Sequence, residues 1–500
     1  MPADVRQTGR LVCLLALVVY LATTGGSMAT DIMSYEVTKG IVDRGTVAMS
    51  YDVFQMDAHR GVDGRYYAPY GIGHAVYSIP FYAAARAVER ATGVGLGKPE
   101  VLPKAGFVVG SAVAAALTVW VAFLFAWRIS GDATGATLTA VAIGFGTLVW
   151  PYAKFGFNAP LGTLCVLSGT YGAWVGTRLR RPAMLLLGGI ALGGALLVKH
   201  ELALVCLPIA IWVMAESEWR WPDIIKRGLW LGTPVVAALL LTLHYNEVRF
   251  GNVLDTGYLR DDTLASGSIR AGLAGFLFSP GRSVFLYSPM VVGAVAAAIG
   301  MRRRDPRTTW LFAAQCVLLM CFYASLVNWD AERSYGPRYL LPVIPLLVLP
   351  VAGAIAKSRA LRGLLVLSIL VQAPGVLVDF SKVGASRVIG PHTELERQWT
   401  WDASGLVINA RASLAAIPEN ARRLATGERP EVKAGESRTR DFSDQFAFSL
   451  DFWWIYLFYL GMLSARAAVA CGAVLCGAAA WLSWLLWIRT RRSLSAGRAA

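Results

Sequence analysis

Charged side chains are scarce in this chain: Asp, Glu, Lys and Arg make up 16% of its 500 residues, while 56% are hydrophobic and the mean hydropathy is +0.51. That scarcity excludes an ordinary soluble domain. No ten-residue alternating pattern is found either, which excludes a membrane β-barrel and leaves helices as the structure that satisfies its own backbone in lipid. The outer loops lack cysteine. All seven (Cys13, Cys165, Cys206, Cys316, Cys321, Cys471 and Cys476) fall inside apolar runs, where they read as small packing residues and not as disulfides or metal ligands. The short inner loops lack a Gly-rich phosphate loop of the Walker type, which argues against a nucleotide-consuming cytoplasmic reaction. No internal repeat is visible, and many transporters carry one.

What the sequence does have is apolar runs of about 17 to 22 residues, the length that crosses a hydrocarbon core, recurring about a dozen times. The net charge of +15 sits largely in short turns between them: RLRRP (178–182), MRRRDPR (301–307), KSRALR (357–362) and RTRR (489–492). These alternate with turns poorer in cations, the positive-inside pattern, so the charge is a topology signal and not a nucleic-acid footprint. Both termini are then expected in the cytoplasm. The first apolar run reads as an uncleaved span; small residues at 25–29 leave a cleaved signal peptide open.

The expected fold is all-α and polytopic, with about twelve transmembrane helices and a long first outer loop carrying interfacial helices. Residues 1–378 read as a catalytic transmembrane module, with the first outer loop at 29–105. Residues 379–450 read as an extracytoplasmic segment, and 451–500 as an aromatic interface helix (WWIYLFY, 453–459), a last span and a basic tail. Within the first loop, Met33, Val37 and Ile41 recur at helical spacing, which predicts a short surface helix over 31–44 lying flat on the bilayer, with Thr30 a possible N-cap and Gly45 its stop. A second interfacial helix follows GRYYAPYGIG (64–73). The segment GLAGFLFSPGRSVFLYSP (272–289) is broken by Gly and Pro, and irregular backbone survives near lipid only where it is buried or lines a cavity.

Polar, charged and aromatic signals gather at outer span ends: Asp31, Glu36, Lys154, Asn158, Lys199, Glu201, Arg249, Asp255, Arg282, Trp329, Arg333 and Arg338. Charges beside a membrane are costly unless paired or employed. A carboxylate among cations suits a reaction in which a base activates a hydroxyl while Lys or Arg neutralises a departing phosphate. Such chemistry needs a lipid-borne donor. Asp57, His59 and Asp63 have a spacing that could hold a metal or simply belong to a solvated loop. Tyr66, Tyr67, Tyr70 and Trp329 suit either stacking on sugar or prenyl units or interfacial anchoring.

The stretches TDIMSYEVTKGIVDRG (30–45), GRYYAPYGIG, YNEVRFGNVLDTGY (245–258), FSPGRSVFLYSP (278–289) and SYGPRYLLPVIPLL (334–347) together resemble the C superfamily of membrane glycosyltransferases. These enzymes, among them protein O-mannosyltransferases and the aminoarabinose transferase acting on lipid A, use polyprenyl-phosphate sugars. The resemblance spans about the first 380 residues. It implies an inverting transfer from a polyprenyl-phosphate sugar to an acceptor hydroxyl, with Asp31 as catalytic base, on the outer face of a bacterial inner membrane. Lys199 and Arg338, with Arg333 and Lys154, would be the lipid-phosphate binders, although snorkelling or structural roles stay open for them. Glu36, Asn158, Tyr70 and Trp329 would contact acceptor or sugar. Family members often carry a second acidic residue in the loop after span three, where this chain has Asn158. No cofactor is implied, and a divalent metal stays open. The sequence leaves the acceptor open among lipid, glycan and protein. Two other readings remain: a transporter of a lipid-linked sugar or small solute, and a scaffold that binds the lipid carrier without turnover.

Overall fold

The computed structural model describes residues 2–27, 31–50, 59–93, 101–257, 267–332, 334–385, 393–430 and 449–499. Thr30, Asp57 and Arg333 lie outside the described residues; the N-cap of the first-loop helix, expected at Thr30, is Asp31, whose carboxylate reaches the Ser34 amide. The chain is helical almost throughout; among the described residues the one sheet is a two-residue antiparallel pair, His59–Arg60 with Tyr66–Tyr67.

In chain order the helices are α1 (Ala3–Ala22), α2 (Ile32–Lys39), α3 (Gly73–Thr92), α4 (Val101–Ser130), α5 (Ala133–Phe145), α6 (Val149–Ala153), α7 (Ala159–Arg178), α8 (Pro182–Val198), α9 (Cys206–Glu216) and α10 (Trp221–Phe250). Then come α11 (Ile269–Phe278), α12 (Val284–Tyr287), α13 (Met290–Arg304), α14 (Pro306–Ala324), α15 (Ile344–Val348), α16 (Arg359–Leu377), α17 (Phe380–Ala385), α18 (Glu394–Trp399) and α19 (Gly405–Thr426). The chain closes with α20 (Trp453–Tyr459) and α21 (Ala465–Ala499). Among the described residues six helices are long and apolar enough to cross a membrane (α1, α4, α10, α14, α16 and residues 465–490 of α21), beside shorter apolar ones.

Some of the dozen apolar runs are therefore not single straight rods. Span three breaks at Gly146 into α5 and α6. Span ten is a chain of short 3₁₀ and α turns, because Pro342, Pro345 and Pro350 each remove a backbone donor. The antiparallel pair α7 and α8 packs backbone to backbone through small residues: a Cβ on Gly172 would meet the Gly188 backbone at 2.6 Å. Without a hydrophobic drive between helices in lipid, close van der Waals contact of this kind is what holds spans together.

The turns order the bundle by charge. At one end Arg178, at the foot of α7, bridges Glu216 at the end of α9 and Asp305 between α13 and α14. RLRRP and MRRRDPR thus meet there, and Arg304 also approaches Gly353, just before KSRALR. The opposite end carries the irregular segments: the start of α2, the loops before α3 and α7, the α8–α9 hairpin and the residues after α14.

The surface helix expected over 31–44 is only partly as read. It is α-helical to Lys39, widens into a π-turn over Gly40–Arg44 and stops at Gly45 in the left-handed region (φ 65°). Its apolar face does not lie on the bilayer: Met33 and Val37 are buried against Met49, Ala68 and Ala75, because α3 and the short sheet fold over it. Arg282, in the Gly- and Pro-broken segment, is also buried. It donates to the carbonyls of Asp330, Glu332 and Ser334, so one guanidinium satisfies a turn that no helix could.

Candidate active site

A cavity of about 320 Å³ opens at the irregular end, where six separate segments converge. Asp31 sits on it as the N-cap of α2. Its carboxylate accepts the Ser34 hydroxyl at 2.7 Å and the Ser34 amide at 3.4 Å, the usual capping arrangement. Its own amide donates to the Gly156 carbonyl at 2.9 Å, which ties the start of the first loop to the turn between α6 and α7. Burial pushes the Asp31 carboxyl above its ordinary value; the Ser34 hydrogen bonds and the charges of Lys199 and Arg338 pull the other way without cancelling it.

Two cations face the same space. Lys199 leaves the end of α8 in extended backbone, where α8 stops and a 3₁₀ turn begins. Its ammonium lies 3.4 Å from Glu201 Oε1, 5.1 Å from the ring centre of Tyr339 and 5.8 Å from that of Tyr323. Glu201 also accepts the Tyr323 hydroxyl at 3.1 Å, and Tyr323 stacks on Tyr339 at 4.7 Å between centroids. Burial would raise the Glu201 carboxyl, yet Lys199 and the hydrogen bonds hold it below the usual range, so it is ionised. Arg338 lies over Phe157 (5.6 Å) and Tyr339 (5.8 Å) and has no carboxylate partner among the described residues. Gly336 makes the turn before it possible: its φ is 67°, and a Cβ there would meet the Tyr287 ring at 2.6 Å.

Five residues singled out in the sequence therefore share one cavity: Asp31, Tyr70, Asn158, Lys199 and Arg338. Others lie elsewhere. Lys154, grouped above with the donor-binding cations, is fully enclosed and off the cavity. Its ammonium donates to Val376 O (2.7 Å) and Val378 O (3.2 Å) and pairs with Asp451 at 2.9 Å, so all three protons are spent on internal partners. Glu36 is buried behind α2, where it accepts the Ser50 hydroxyl and lies 3.8 Å from Lys39. Trp329 packs edge-on to Phe276 and also against Trp399, away from the cavity. Asp63 is engaged in its own turn, by the Arg65 amide and the Tyr67 hydroxyl.

Tyr323 and Phe157, which line the cavity too, are not singled out by sequence reasoning. Tyr323 ends an ordinary apolar span, and nothing local sets it apart from the other 17 tyrosines. The lining holds one carboxylate and two cations beside aromatic faces, and Glu201 balances one of the cations from outside. With Asp31 and Glu201 both ionised these charges balance, so what the site offers an anion is local: Arg338, without a carboxylate partner among the described residues, facing the same space as a carboxyl whose raised pKa makes it a stronger base.

Solved structures with the same fold align with nearly the whole chain. Two of them are of ArnT, an aminoarabinose transferase from Cupriavidus metallidurans. Bound to undecaprenyl phosphate, it aligns at a TM-score of 0.50 and 16% identity, covering 92% of this chain and 77% of that one. In the apo state it aligns at 0.52 and 16% identity, covering 93% and 76%. At that identity the likeness is one of fold. No protein-family model and no curated protein sequence matches the chain.

Proposed function

We propose that the chain transfers a sugar from a polyprenyl-phosphate donor to an acceptor hydroxyl on the extracytoplasmic side of a bacterial inner membrane, with both termini in the cytoplasm. The observation that carries this reading is the joining, in one cavity, of a desolvated carboxylate with Lys199 and Arg338. The acceptor oxygen attacks the anomeric carbon as its proton passes to Asp31, and the bond from that carbon to the phosphate oxygen breaks. The phosphate leaves on the prenyl carrier with its charge stabilised by the two cations. Attack opposite the leaving group inverts the anomeric centre. Tyr70, Asn158 and the Tyr323–Tyr339 stack are placed to contact sugar or acceptor. Among the described residues of 379–450, Ile408, Ala412 and Ala416 of α19 pack on Val378 and Val383.

Asn158 favours a second reading, a protein that binds the lipid carrier without turnover, since a neutral amide stands where a second acid is expected. Mass spectrometry of envelope lipids and glycans separates the two, in cells with the wild-type chain, with Asp31→Asn and with the gene deleted. Under the transferase reading one sugar-sized mass difference disappears in both altered strains and a polyprenyl-phosphate sugar accumulates. If deletion changes the profile and Asp31→Asn does not, Asp31 is not the base and the binding reading takes over.

A further inference from the structure

The basic end of the bundle holds a second cavity, of about 620 Å³, where the ends of α7, α9 and α13 meet the starts of α10 and α14. Five arginines line it: Arg178, Arg180, Arg227, Arg304 and Arg307. The two carboxylates on its wall, Glu216 and Asp305, are both engaged by Arg178. The Arg178 guanidinium is itself fixed between the rings of Trp174 (5.1 Å) and Trp212 (5.5 Å). Arg178 is thus a structural post, and the acids it holds are largely spent. The other four arginines outnumber any acid left to them; Arg227 donates to Ser217 Oγ at 2.9 Å, and Arg307 is the outer partner of Glu216 at 3.8 Å. Arg180, Arg304 and Arg307 are exposed.

An adjoining hollow of about 350 Å³ shares Arg180 and Arg227 and adds Arg220 and Lys226 against one acid, Asp223. Its rim is apolar and aromatic. Trp219, Trp221 and Trp230 are exposed there, followed along α10 by Ile225 and Leu229. Tryptophans of this kind sit at headgroup depth, with the charged basin on their aqueous side and acyl chains on the other. A cationic hollow bordered by exposed apolar helix is complementary to an anion that carries hydrocarbon. Soluble phosphate would use only half of it.

We propose that this basin binds the phosphodiester headgroup of an acidic membrane lipid, with Arg180, Arg227, Arg304 and Arg307 facing the phosphate oxygens. The inference is independent of the proposed sugar transfer: it uses no residue of the outer cavity and holds whether or not the chain is an enzyme.

The full chain, purified in detergent, is titrated with phosphatidylglycerol, with phosphatidylcholine and with inorganic phosphate, and bound lipid is read by native mass spectrometry. Wild type retains phosphatidylglycerol in preference to phosphatidylcholine. The triple variant Arg180→Gln/Arg304→Gln/Arg307→Gln loses about a hundredfold in phosphatidylglycerol affinity, about fivefold per cation removed, and Arg304→Gln alone loses about fivefold. Arg302→Gln/Arg303→Gln, on the same helix end but off the basin, is the control for diffuse attraction and retains the lipid as wild type does. Should the triple variant not fold, the single variant carries the test. Equal retention of the two lipids overturns the proposal. So do an equal loss in the control, wild-type binding by the single and triple variants, and displacement by inorganic phosphate as effective as by lipid.

Discussion

Asp451→Asn is the most direct test of how the outer end is held together. Lys154 and Asp451 are both 0% exposed and 2.9 Å apart, and they join the turn after α6 to the segment that leads into α20. Asp451 also accepts the Ser27 amide at 2.9 Å. The asparagine keeps the shape and one acceptor but leaves the Lys154 ammonium with two carbonyls and no opposing charge. Breaking a buried pair costs about 3–5 kcal/mol. The lower end is expected here, because Asp379 lies close by: burial, and then the Asp451 charge, hold its carboxyl above the ordinary value, and removing Asp451 relieves that repulsion. Lys154→Met leaves the buried Asp451 carboxylate without its ion-pair partner and is expected to cost about 5 kcal/mol.

In the double variant the coupling between the two sites should recover about 2 kcal/mol or more. Free energies of unfolding from titration with a denaturing detergent give all three values. The pH dependence has a definite sign. Burial would raise the Asp451 carboxyl, but Lys154 and Lys382 hold it below its ordinary value. Its contribution is therefore complete above the unfolded value of about 3.9 and is lost only as pH falls through the lower folded value. The difference between wild type and Asp451→Asn should be flat between about pH 6 and 8. Single-variant losses below about 1 kcal/mol, or additive ones, would falsify this account of the pair. Function is affected in step, since the Lys154 carbonyl accepts the Gly25 amide and the Gly156 carbonyl accepts that of Asp31.

Three further outcomes are expected. Asp31→Asn should lower sugar transfer by about 10² to 10⁴. Because burial raises the Asp31 carboxyl, the folded chain holds that proton more tightly than the unfolded one, and ionisation costs stability as pH rises. The variant should thus unfold no earlier than wild type near neutral pH, and a marked loss of thermal stability there would refute the desolvated base. Arg338→Gln should weaken binding of undecaprenyl phosphate, measured on the purified chain, by about 1.5–3 kcal/mol, as for loss of a hydrogen bond to a charged group; unchanged affinity removes Arg338 from the phosphate site. Glu201→Gln releases Lys199 from its counter-ion and should tighten the same binding, whereas weaker binding would mean that Glu201 serves chiefly to hold Lys199 in place.

The helical membrane class and the basic turns gathered at one end were legible in the sequence, as was the short helix after the first span. Hydrocarbon thickness and the cost of bare backbone in lipid act on any chain, so run length and composition express them directly. Asp31, Lys199 and Arg338 could be picked out because a charge at a span end is an exception to the local composition. Which charges face one another is a different matter. Lys154 looks no different in sequence from Lys199, yet Lys154 is neutralised by a residue 297 positions away and Lys199 looks into the cavity. Tyr323 joins the site only because α14 ends where the α8–α9 hairpin turns, and the Met33 face of α2 meets α3 instead of the bilayer. Hydropathy and spacing are properties of a segment, and they settle that segment's class. Ion pairing, desolvation and the walls of a cavity depend on distances between segments, and those are fixed only when the helices pack.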